Sequence, residues 1–169
     1  METTTKLYSY SFKDTKTYIA ALLFVAGNIL VPQLCHLMPQ GGLIWLPIYF
    51  FTLVGAYKYG WKVGLLTAIA SPLVNSVLFG MPTAHALPPI MIKSVVLAGV
   101  ASFIAVRSHK ATLWMLALAV LSYQIVGTGA EWILKGNLWA ALQDFRIGLP
   151  GMLVQILGGY LFINYLIRR

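Results

Sequence analysis

The chain has 169 residues, 59% of them apolar and only 9% charged, with a mean hydropathy of +0.80. Soluble domains carry roughly 25% charged residues, so this composition excludes a soluble globular protein and places most of the chain in lipid. The formal charge of +8 does not point to nucleic acid, because the basic residues are scattered over short loops between apolar runs rather than gathered on one polar face.

Apolar runs long enough for helices of about 20 residues recur along the whole length, which predicts a single integral membrane domain over 1–169. Residues 1–16 form a polar lead-in whose Tyr8, Tyr10 and Phe12 suit the headgroup level. Lys13 and Lys16 before an apolar run resemble the start of a signal sequence. Pro32-Gln33-Leu34-Cys35, however, lacks the small residues of a processing site. The run is therefore read as a first span, about 17–31, ended by Pro32.

The second span is about 42–57, with Trp45 and Tyr57 as anchors near its ends. The third, about 62–80, carries Gly64-x-x-x-Ala68 for close packing and a kink at Pro72. The fourth, about 89–106, opens on Pro88-Pro89, which a first helical turn accepts, and has a small-residue face at Ala101 and Ala105. The fifth, about 111–133, contains Gln124, Gly127, Gly129 and Glu131. Leu138, Trp139, Leu142 and Phe145 then recur at helical spacing, predicting a short amphipathic helix along the interface. The sixth span, about 147–167, holds Gln155 and Gly158-Gly159.

Six spans put both termini on one side. Nine of the lysines and arginines fall on that side, against Lys135 and Arg146 on the other and Lys93 within a span. The positive-inside rule then makes both termini cytoplasmic. This orientation gives each polar residue a depth. Asn28, Asn75, Lys93, Glu131 and Gln155 fall in the outer half of five different spans, with Gln124 near the middle of the fifth, while the inner halves hold little beyond serine and threonine. Polar groups in lipid cost least when they share water or a ligand, so this asymmetry predicts an outward-opening pocket; interhelical hydrogen bonding without a ligand is the alternative.

Lys93 and Glu131 either pair across the bundle or clasp a zwitterionic or anionic ligand. The outer loops add Cys35, His36 and Met38, then His85, as soft or borderline groups that either cap the pocket or approach a transition metal or the cobalt of a corrinoid. Adjacent Cys-His is not a chelating pattern, and a lone cysteine excludes an internal disulfide and a cysteine-based zinc cluster, so no metal or cofactor is assigned. Trp45, Tyr49, Trp132 and Trp139 either stack on a flat heterocycle or form the aromatic belt. There is no G-x-S-x-G, H-E-x-x-H or Walker A sequence. The expectation is a protein that is not an enzyme and does not itself use ATP.

From Ser71-Pro72-Leu73 through Asn75, Gly80-Met81-Pro82, His85 and Leu87-Pro88-Pro89 to Lys93, four prolines, an asparagine and a lysine sit where the surrounding sequence is nearly all hydrocarbon. Together with the six-span plan this stretch resembles the substrate-binding S component of an energy-coupling factor (ECF) transporter. The plan covers essentially the whole chain, and the motif about a seventh of it. The resemblance implies capture of a vitamin or vitamin precursor from outside, cobalamin-related or another heterocycle. It also implies a bacterial or archaeal cytoplasmic membrane, with energy from partners: a membrane T component and two ATPase subunits. The candidate substrate-binding set, drawn from the polar residues at pocket depth, the outer loops and the aromatic rim, is Asn28, His36, Trp45, Asn75, Met81, His85, Lys93, Gln124, Glu131 and Gln155. One departure lies in span 1, where Ala20, Ala21, Ala26 and Gly27 give no clean alanine pair four apart for docking a T component. Solitary operation is the corresponding alternative. Two other classes compete: a membrane scaffold of the rod-shape MreD type, with Lys93 and Glu131 tightly paired and no open pocket, and a small membrane enzyme using His36, His85 and Glu131, which must then converge.

Overall fold

The computed structural model describes residues 7–167, and among them there are helices, turns and bends but no strands. Helix α1 spans Thr15–Cys35, α2 Gly41–Trp45, α3 Phe50–Tyr59, α4 Trp61–Phe79 and α5 Leu87–Ser108. Helix α6 spans Leu113–Lys135, α7 Leu138–Ala141, α8 Gln143–Ile147 and α9 Leu149–Leu161, the last continued by a π-helical turn over Phe162–Leu166. Five of these segments, namely α1, α4, α5, α6 and α9 with its π turn, are long and apolar enough to cross a membrane. Their outer faces are apolar and uncovered: Leu22 is 70% exposed, Val77 82% and Ile133 83%. A surface of this kind belongs in lipid, and the chain is a multi-pass membrane protein.

Two expectations about the first half are corrected. Pro32 does not end the first helix, which runs on to Cys35. A proline inside a helix leaves the carbonyl four residues back without its donor, here that of Asn28. Asn75 of α4 supplies the missing donor, Nδ2 to the Asn28 carbonyl at 2.9 Å. The second span, by contrast, is not one helix. Leu46 adopts φ 45° and ψ 46°, and Pro47–Tyr49 form a single 3-10 turn before α3 begins. The cause is local, since the residue before a proline is driven out of the right-handed helical region. Continuous apolarity over 42–57 hid this break.

The remaining helices keep the expected order. Gly64 packs so closely on Ala56 of α3 and Ala98 of α5 that a methyl group at position 64 would overlap the former. Ala101 and Ala105 are buried, and α4, α5 and α6 follow one another as antiparallel neighbours. Gly80 and Gly136 end α4 and α6 at φ 67° and 65°, a left-handed geometry that glycine adopts without strain. The amphipathic stretch is present as two short pieces, α7 and α8, with Trp139 72% exposed.

Hydrogen bonds define the two ends of the bundle. The Tyr8 amide donates to Lys58 at 2.8 Å, the Tyr57 hydroxyl to the Lys110 carbonyl at 2.6 Å, and Asn164 Nδ2 to the Ala111 carbonyl at 3.0 Å. Both ends of the described chain thus lie with the α3–α4 and α5–α6 turns, at the basic end. The far end carries the α1–α2, α4–α5 and α6–α9 connections.

Candidate ligand-binding cavity

At the far end, the loop after α1, the broken α2–α3 segment and the α4–α5 loop border a half-open chamber of about 700 Å³. Its walls are mostly apolar, with Pro32, Leu43, Pro47, Ile48 and Ile90 prominent and His36, Gln40, Asn75 and Thr83 as the polar groups. The α4–α5 loop is tied down by Ser76 Oγ, which donates to the Pro82 carbonyl at 2.8 Å. A smaller cavity of about 140 Å³ adjoins it, reaching Tyr49, Lys93, Glu131 and Lys135. Gly42, Leu43, Ile48, Ala86 and Ile90 line both, so the smaller lies against the larger as a side branch across a common wall. The volume is in the range of small-molecule sites, roughly 300–1,000 Å³.

The side branch ends on an ion pair. Lys93 Nζ donates to Glu131 Oε2 at 2.7 Å, and Lys135, one turn beyond on α6, binds Oε1 of the same carboxylate. Lys93 and Glu131 are both buried. Gly127 makes the approach of α5 to α6 feasible, because a Cβ there would collide with the aliphatic stem of Lys93.

Beneath the chamber lies a hydrogen-bonded lock of three helices. Asn28 Nδ2 donates to Thr52 Oγ1 at 3.0 Å and Ser71 Oγ at 3.1 Å, while its Oδ1 accepts the Phe51 amide at 3.2 Å. Asn75 Nδ2 donates to the carbonyls of Asn28 and Ser71, both at 2.9 Å, and its Oδ1 accepts only a long 3.5 Å bond from Gln33 Nε2. On the opposite flank Gln155 Nε2 reaches the Leu46 carbonyl at 3.3 Å and Oε1 accepts the Tyr123 hydroxyl at 3.0 Å. The Tyr123 ring lies 4.9 Å from that of Tyr49, centroid to centroid.

The ten expected site residues therefore divide. His36, Asn75 and Met81 line the chamber, and Lys93 and Glu131 the side branch. Asn28 and Gln155 face their helix neighbours, each with both amide atoms engaged. Trp45 lines neither space, its backbone instead pressed against Gly151. His85 is exposed and also lines neither, so His36, His85 and Glu131 do not form one constellation. Gln124 is wholly buried, and neither of its amide atoms has a hydrogen-bond partner among the described residues. Ser94 and Thr128 hydroxyls are in the same condition.

Some participants escaped the sequence reading. Gln40 and Thr83 line the chamber, Gln33 makes a long contact to Asn75, and Thr52 completes the lock. The inner half is also less bare than expected, with Asn164 buried and holding Ala111. A usable signal existed for the lock: a proline four residues after Asn28 calls for an outside donor, and Ser71-x-x-x-Asn75 offers one at helical spacing. Among the described residues no three His, Cys, Asp or Glu side chains gather as a metal site.

No family model matches the chain, and no curated protein or solved structure matches it either.

Proposed function

We propose that the chain is the substrate-capture subunit of an ECF-type importer, binding a vitamin or vitamin precursor in an outward-facing chamber. A membrane T component and two ATPase subunits would drive its uptake. The observation that carries the reading is the 700 Å³ chamber, because Met81 and Pro82 of the S-component-like motif form part of its wall. In this reading the chamber opens outward and the basic end faces the cytoplasm, in keeping with the distribution of lysine and arginine. The broken segment over 41–59 then serves as the second of six crossings, and the membrane is the cytoplasmic membrane of a bacterium or archaeon.

Affinity purification from native membranes tests this. The expected result is co-elution of a membrane partner with ATPase subunits and release of a vitamin-like molecule on denaturation. A protein that elutes alone and empty contradicts it.

A scaffold of the rod-shape MreD type is the second reading. It is favoured by the closed Lys93–Glu131 pair and by Asn28 and Gln155, whose side chains join helix to helix. It expects partner proteins and no small molecule.

A further inference from the structure

The chamber and its side branch differ in charge. Apart from His36, none of the described residues lining the chamber is titratable. The lysines and the glutamate are confined to the side branch, where both carboxylate oxygens of Glu131 are already taken by Lys93 and Lys135. An ionised group drawn into the chamber would exchange water for proline, leucine, isoleucine and methionine, a desolvation of several kcal/mol with no permanently charged side chain on the chamber walls to offset it. An uncharged molecule avoids that loss.

Asn75 adds a polarity. Its two N–H donors face the carbonyls of Asn28 and Ser71, which settles the amide orientation, because the flipped form would set oxygen against oxygen. A carbonyl oxygen can accept two hydrogen bonds, and Oδ1 has only the 3.5 Å contact from Gln33. At the chamber wall Asn75 is thus an acceptor in search of a donor.

We infer that the chamber selects an uncharged, largely apolar molecule bearing an N–H or O–H donor, which it reads with Asn75 Oδ1. The inference rests on the capture reading and narrows it: the Lys93–Glu131 pair closes the side branch and is not the anchor for the guest. Gln33, the one competitor for Oδ1, sets how readily that donor is accepted.

The test uses the full chain in lipid nanodiscs and three probes of one shape: 2-quinolone, a neutral lactam with an N–H; N-methyl-2-quinolone, without the donor; and quinoline-2-carboxylate, an anion. Equilibrium binding should favour 2-quinolone over each of the others by about tenfold, the value of one net hydrogen bond. Gln33→Met should tighten 2-quinolone while leaving N-methyl-2-quinolone unchanged. If the anion or the N-methyl compound binds as well as 2-quinolone, or Gln33→Met moves both lactams alike, the inference fails and the capture reading stands. Binding of none of the three overturns the inference, while the capture reading is decided separately by what the natively purified protein releases.

Discussion

Asn75 Nδ2 lies 2.9 Å from the carbonyl oxygen of Asn28, the one oxygen in α1 that Pro32 deprives of its helical donor. A proline in a membrane helix and an asparagine on its neighbour, each costly alone, cancel much of each other's cost. The same contact puts Asn75 at the chamber wall. Packing and candidate recognition thus meet at one side chain.

This pairing predicts a coupled pair of substitutions. Asn75→Ala removes donors from two buried carbonyls and should destabilise the protein by about 2–4 kcal/mol. In a Pro32→Ala background, where residue 32 again offers an N–H to the Asn28 carbonyl, the same change should cost less. Denaturant unfolding in micelles of the four proteins measures the coupling; simple additivity would show that the two residues are independent.

Gln155 does for the broken second segment what Asn75 does for the first. Gln155→Leu leaves the Leu46 carbonyl with only the 3.3 Å bond from the Tyr49 amide and takes away the Gln155 acceptor of the Tyr123 hydroxyl, for a loss of about 2 kcal/mol. Tyr123→Phe removes only one of the two bonds and should lose about 1 kcal/mol. Thermal unfolding ranks the two, and the reverse order contradicts the assignment.

Lys93 needs both its partner and its room. Lys93→Met breaks a buried ion pair but leaves Glu131 its bond to Lys135, so the expected loss is about 1–2 kcal/mol, below that of a buried charge left wholly unpaired. Gly127→Val should be strongly destabilising in the parent, where it strikes the Lys93 stem, and tolerated in Lys93→Ala, where the stem is gone. Melting temperatures across that double-mutant cycle check the claim.

Gln124 runs the other way. Its amide is buried with nothing to bind, so Gln124→Leu should be neutral or stabilising by about 1–2 kcal/mol. A clear loss of stability would reveal a partner for this amide that the structure does not contain.

What the sequence made legible follows from periodicity and length. The spans drawn at 62–80, 89–106 and 111–133 end within two residues of α4, α5 and α6, because loops and glycines bound long apolar runs there. Lys93, Glu131 and Asn75 were recognisable as polar groups at one depth. The break at Leu46 was not, since it depends on one proline inside unbroken apolarity, and Pro32 misled in the opposite sense because its remedy lies more than forty residues away on α4. Asn28 and Gln155 shared the depth of the pocket but not its direction: composition gives a depth along a helix, while the side that a residue faces depends on how the neighbouring helices pack.

Ala86 lines both the chamber and its side branch, so it occupies their shared wall. The most direct test of the account is the amount of small molecule released, per mole of protein, from purified parent and Ala86→Trp on denaturation, with equal melting temperatures as the control for folding. A guest near one per protein in the parent and almost none in Ala86→Trp is the predicted result. Equal release from both proteins, or none from the parent, would contradict it.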